Sequence, residues 1–204
     1  STSTDSHNTA IGNDAGLNVT TGIYNTLIGG LAGDAFTDAD YNVAVGTQAL
    51  SLDTLGSRSV AIGHASLQSQ NFTSATNAYN TAVGFSAGEA VTTGDRNTLI
   101  GGLAGDALNT GAANVAVGYL ALSSDTKGSS NVAIGRGALQ DQNFTSGTDS
   151  FNTAVGDRAG ENVTTGISNT IIGGLAGDAL TDADHNVAIG QNALTTDTKG
   201  SKNT

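Results

Sequence analysis

The chain has 204 residues with no Cys, Met, Trp or Pro, 29 Gly, 4% aromatics and a formal charge of −11. This excludes disulfides and thiolate metal sites. With only 7 Lys and Arg, scattered singly against 18 Asp and Glu, it also excludes nucleic-acid binding by phosphate neutralisation. So few bulky side chains do not make an ordinary globular core, so surface has to be buried by stacking like on like.

In chain order, residues 1–7 align with 145–151, inside a long loop, so the chain is expected to open partway through a repeat. The first pentad, Asn-Thr-Ala-Ile-Gly, occupies 8–12, with relatives at 25–29, 42–46 and 59–63. Further copies start at Asn80, Asn97, Asn114, Asn131, Asn152, Asn169 and Asn186, and a truncated one at Asn203. The steps run 17, 17, 17, 21 and then repeat, so a super-repeat of 72 residues carries Asn8 to Asn80 to Asn152. This gives super-repeats at 8–79, 80–151 and a partial 152–204, forming one solenoid segment over 1–204. Both ends cut through the array, which predicts that the natural molecule continues in both directions.

Each coil type keeps its own signature. The first has Ala-Gly followed by Thr-Thr-Gly, as at Ala15-Gly16 and Thr20-Thr21-Gly22. The second carries Gly-Gly-Leu-Ala-Gly-Asp-Ala at 29–35, 101–107 and 173–179. The third has Ala-Leu followed by Asp-Thr, as at 49–50 and 53–54. The fourth has four extra residues and contains Gln-Asn-Phe-Thr-Ser at 70–74 and 142–146.

Within the pentad, period-2 alternation with β-branched residues at positions 2 and 4 predicts a short strand. Ile and Val at position 4 are expected to stack as an apolar ladder. Alanine at position 3 points the other way, as a flat face suited to another sheet or another chain. Glycine closes the strand at a corner, and Asn opens it, with a side chain able to form an amide ladder. The coil is read as two short strands and two turns, with helix disfavoured by the glycine content. The fold class is therefore all-β: a repeat β-solenoid of about eleven coils. At about 4.8 Å per coil it forms a rod of roughly 50 Å.

Ser59-Val60-Ala61-Ile62-Gly63 and the Asn-Val-Ala-Ile-Gly copies at 131–135 and 186–190 resemble the head repeats of trimeric autotransporter adhesins of the Yersinia adhesin type. The Asn-Thr-Ala-Val-Gly copies are also similar to shaft repeats of bacteriophage tail fibres. The resemblance covers five residues in each 17. It implies a left-handed parallel β-roll, a homotrimer, an extracellular, cell-surface or virion location, and attachment to a host surface or glycan receptor.

Candidate chemistry is sparse. Asp34, Asp38 and Asp40, repeated as Asp178, Asp182 and Asp184, have oxygen donors suited to Ca²⁺. The middle copy keeps only Asp106, which favours a solvated turn over a calcium site. Phe72 and Phe144, in the long loops, are the candidates for ligand contact, against the alternative that each ring seals its corner. Asn71 and Asn143 head Asn-x-Thr sequons, as do Asn18 and Asn162. His7, His64 and His185 belong to no Ser/His/Asp set. The Gly-Gly-Leu-Ala-Gly run lacks the Lys-Ser/Thr of a phosphate loop.

No enzyme, no cofactor, no membrane insertion and no nucleic-acid partner are expected. The function expected is a structural shaft or adhesin segment whose partner is itself, as a homotrimer or a filament. The alternatives are a self-assembling extracellular filament or surface-layer component, and an ice- or mineral-binding solenoid, whose Thr row is broken by Val43 and Val60.

Overall fold

The computed structural model describes residues 5–204. Residues 1–4, assigned above to a long loop, lie outside the described residues. The pentads form eleven three-residue strands, from Thr9–Ile11 to Val187–Ile189, in one parallel sheet that follows chain order. Equivalent pentad positions pair: Val132 lies between Val115 and Thr153, and Ala133 between Ala116 and Ala154. The 21-residue step does not disturb this register, because Ile62 still pairs with Val83. In each of the two long coils the extra residues leave as a loop tied by one small bridge, Gly56–Ser57 with Thr76–Asn77 in the first and Gly128–Ser129 with Thr148–Asp149 in the second. The parallel β-solenoid expected from the repeat is therefore present, and no described residue is helical.

Two expectations need correction. Most coils hold one strand rather than two, because their second half is a run of turns. The faces of the strand are also reversed. Ala44, Ala61, Ala82, Ala116, Ala133 and Ala154 are fully buried, so the alanine column faces the coil's own core and contacts no other chain. The Thr/Val and Ile/Val columns face outward. Ile62, Ile100, Ile134 and Ile172 are 38–39% exposed.

The reversal follows from how thin the coil is. The space between strand and opposite wall holds one large side chain per level, and the sequence divides it. In the third and fourth coil types position 3 is Ala, as at Ala44 or Ala133, and a buried Leu50 or Leu139 stands on the opposite wall. In the first type both are small, as at Ala82 and Gly88, and Leu99 of the next coil reaches in, 2.6 Å from where a Cβ on Gly88 would lie. Where position 3 is Leu27 or Leu99, the opposite wall has Gly33 or Gly105. A Cβ on Gly33 would lie 2.8 Å from both Leu27 and Phe36, and one on Gly105 2.8 Å from Leu99. Close packing of this kind tolerates no second bulky group.

The glycine that closes each pentad is required for a separate reason. Gly84 has φ of 148°, and a Cβ there would overlap the carbonyl of Gly101 in the next coil. The coils approach too closely at this corner for any side chain.

The pentad asparagines form the inner polar ladder. Asn97 donates from Nδ2 to Gly111 O at 2.9 Å, and its Oδ1 accepts the main-chain N–H of Asn114 at 3.0 Å. The same pair of bonds recurs at Asn25, Asn42, Asn80, Asn114 and Asn152. Each buried amide thus satisfies a corner carbonyl of its own coil and a corner N–H of the next.

Candidate interaction surfaces

The outward face of the sheet is two side chains wide and eleven coils long. One column alternates Thr and Val in pairs, and the other is Ile or Val throughout. At about 4.8 Å per coil the Ile/Val column is an apolar strip roughly 50 Å long, flanked by the mixed Thr/Val column. A contiguous apolar strip of that size is uncommon on a free monomer.

Two corner columns border the strip. On the entry side, the residue before each pentad takes the left-handed conformation without being glycine. All twelve, from His7 to Lys202, have φ between 49° and 64°. That costs about 1 kcal/mol per residue for an L side chain. It turns these side chains outward along the edge of the strip. His7, Tyr24 and Tyr41 stack there with ring centroids 5.1 Å apart, and Arg58 caps Tyr41 at 4.9 Å. Because the rings lie face to face, their π-faces are occupied by each other and their edges meet solvent.

On the exit side, the residue after the pentad glycine forms the second column. His64 stacks on Phe85 at 5.3 Å, and Arg136 holds Asp157 through two bonds of 2.8 and 2.9 Å. This pair raises the Arg136 guanidinium above its ordinary value. His185 occupies the same entry corner as His7.

The aspartates proposed for calcium do not converge. Asp38 Oδ1 accepts the Thr21 hydroxyl at 2.6 Å. Asp40 and Asp184 each accept a main-chain N–H of the preceding coil, from Ile23 and Ile167, at 2.8 Å. Asp182 accepts the Thr181 hydroxyl at 3.1 Å. Asp34 and Asp178 each bury one carboxylate oxygen, Oδ1, without a partner. Among the described residues, no three His, Cys, Asp or Glu side chains are grouped as a metal would require. Asp38, Asp40 and Asp184 thus make coil-to-coil bonds, whereas Asp182 bonds its chain neighbour.

The long loops also differ from an exposed contact. Phe72 and Phe144 are only 6% and 7% exposed, so the rings turn inward and seal the corner instead of meeting a ligand. Asn71 and Asn143 are exposed, and each Oδ1 accepts a threonine hydroxyl, from Thr54 or Thr126, at 3.1 Å.

Beneath each loop lies a feature the sequence reading missed. Asp53 is fully buried. Its Oδ1 accepts N–H from Gly56 at 3.0 Å and Phe72 at 3.3 Å, and its Oδ2 accepts Gln70 Nε2 at 2.6 Å. Gln70 Oε1 in turn accepts Asn80 Nδ2 at 2.8 Å. Asp125, Gly128, Phe144, Gln142 and Asn152 repeat the arrangement. Burial pushes the Asp53 carboxyl above its ordinary value, against the donors that favour its charged form. The readable signal was Asp-Thr-x-Gly followed by Gln 17 residues after the Asp, at 53–56 with 70 and at 125–128 with 142. The clasp ties the long loop to the coil beneath it and engages both carboxylate oxygens, as a structural bond would.

No protein-family model, curated protein or solved structure matches the chain. Among the described residues, no helix is long and apolar enough to cross a membrane.

Proposed function

We propose that the chain is a non-catalytic shaft segment of an extracellular or virion fibre, built by lateral association of identical copies. The observation that carries this reading is the outward Thr/Val and Ile/Val face, which continues along every coil and has no partner within the chain. Burial of apolar area at about 25 cal/mol per Å² favours covering such a strip, and an identical strip of equal length is the partner with matching pitch.

The homotrimer and the left-handed coil implied by the adhesin and tail-fibre resemblance belong to this proposal, as does attachment to a host surface or glycan. The repeat itself supports a role in which length matters. Each super-repeat reproduces the same inner ladder and the same buried clasp, so units add without redesign.

The test is insertion of one extra 72-residue unit, with rod length measured by small-angle X-ray scattering. Four added coils should lengthen the particle by about 19 Å at constant cross-section. A wider or partly unfolded particle of unchanged length would reject the shaft.

A further inference from the structure

Four Asn-x-Thr sequons lie in the chain, and as sequences they are alike: Asn18-Val19-Thr20, Asn71-Phe72-Thr73, Asn143-Phe144-Thr145 and Asn162-Val163-Thr164. All four asparagines are exposed. The fold nevertheless divides them into two pairs.

At Asn18 and Asn162 the polar side chains of the sequon are already bonded to the next coil. Asn18 Nδ2 donates to Asp34 O at 2.8 Å, and Asn162 Nδ2 donates to Asp178 O at 2.5 Å. The hydroxyls follow, Thr20 to Thr37 O at 3.0 Å and Thr164 to Thr181 O at 3.2 Å. The main-chain N–H groups of the same two threonines bond the same two carbonyls, at 3.0 and 2.8 Å.

Asn71 and Asn143 are arranged the other way. Their main-chain N–H groups are anchored to Thr92 O and Thr164 O, at 3.0 and 2.9 Å. The threonine hydroxyls of the preceding coil meet only Oδ1, so among the described residues each Nδ2 keeps both hydrogens unbonded. Thr73 and Thr145 are exposed, and among the described residues their hydroxyls have no partner. The main-chain N–H groups of residues 73–75 and 145–147 make no bond within the chain either. The base of each sequon is held by the clasp, through the N–H of Phe72 or Phe144, while its tip is free to bend into an enzyme.

Asparagine glycosylation requires that the amide nitrogen reach the sugar and that the transferase hold the hydroxyl two residues on. We propose that Asn71 and Asn143 are N-glycosylation sites of the folded chain, and that Asn18 and Asn162 are not. The donor is a hexose activated as a diphosphate ester. Nδ2 bonds to the anomeric carbon, and the bond from that carbon to the diphosphate oxygen breaks. The diphosphate leaves with the electron pair, and Nδ2 gives one proton to a base of the transferase. The two sugars then stand at the same point of both long coils, four coils or about 19 Å apart along the rod. This modification is independent of the lateral association proposed above.

The test uses a soluble Asn-x-Ser/Thr glucosyltransferase with UDP-glucose, acting on the folded chain and on four synthetic peptides, 14–24, 67–77, 139–149 and 158–168. Peptide mass mapping gives the rate of labelling at each asparagine. In the folded chain, Asn71 and Asn143 should be labelled at about the rate of their free peptides. Asn18 and Asn162 should fall at least about tenfold below theirs, because the coil must open locally first. Refusal of peptides 67–77 and 139–149 would overturn the proposal at the motif. Acceptance of those peptides without labelling of the folded loops would overturn it at the fold. Equal folded-to-peptide ratios at all four sites would overturn the division into pairs.

Thr73→Ala and Thr145→Ala provide a second readout. Each removes a hydroxyl that has no partner in the chain, so each should abolish labelling of its own loop and leave Tm unchanged. A lowered Tm, or labelling that persists, would overturn the assignment of these hydroxyls to the acceptor site.

Discussion

The main-chain N–H of Asn97 donates 2.9 Å to Oδ1 of Asn80, one coil below, and both residues are fully buried. This contact repeats with few breaks from Asn8 to Asn203, so the interior of the rod is held by an amide ladder as well as by alanine and leucine. Asn97→Ala leaves Gly111 O and the Asn114 N–H buried without partners. Each orphaned group costs about 1–3 kcal/mol. Chemical denaturation should show a loss of about 3 kcal/mol, and a loss below about 1 kcal/mol would mean that the ladder is incidental.

The ladder has one substitution, at Ser59, where a hydroxyl replaces the amide. There Gln70 reaches across to Ser59, Asp53 and Asn80. Gln70→Leu keeps the volume and removes those bonds, leaving the buried Asp53 Oδ2 unpaired. A loss of about 2–3 kcal/mol is expected. Hydrogen exchange should localise it to the loop 71–77. Uniform weakening of the whole rod would contradict a local clasp.

Acid should stabilise the chain. Asp53, Asp34 and Asp106 are all raised above their ordinary value, chiefly by burial. Between that ordinary value and the raised one, the folded chain holds protons that the unfolded chain has lost. Stability from these groups is therefore full below the unfolded value and declines as pH rises through the folded one. Lowering the pH from about 7 to about 4.5 should raise Tm, aided by relief of the −11 charge. Asp106→Asn should flatten the slope. A Tm that falls over this interval would refute the assignment.

Strain at the entry corner gives a prediction of opposite sign. Ala113 has φ of 57° and a side chain with little to lose. Ala113→Gly should stabilise by up to about 1 kcal/mol, net of the entropy glycine adds to the unfolded chain. Gly84→Ala should cost about 3 kcal/mol or more, since its Cβ meets the Gly101 carbonyl at a backbone angle L residues avoid. Equal effects from the two variants would mean that the corner angles do not matter.

The repeat, the pentad strand, the corner glycine and the asparagine ladder were legible because each recurs in every super-repeat at fixed spacing. Strand polarity was not. Alternation says that two faces differ, but which one is internal depends on the thickness of the coil. The clue was Leu27 opposite Gly33 and Ala44 opposite Leu50, a complementarity visible only once two segments of the coil are set against each other. The bonding of the aspartates was hidden for a related reason. Asp40 and Asp184 look like ligands in one dimension, but the preceding coil supplies the N–H groups they accept. For Phe72 the sequence left a ligand contact and a sealed corner both open; the ring is buried, and Asp53 draws its backbone inward.

The central claim is that the outward Ile/Val column joins copies of the chain while the alanine column forms the core. Light scattering on the folded chain and on the double variant Ile62→Lys/Ile134→Lys tests it most directly. About three chain masses are expected for the unmodified protein, and a folded monomer with an unchanged β-type circular dichroism spectrum for the variant. A monomer in both cases, or an oligomer that survives both lysines, would contradict it.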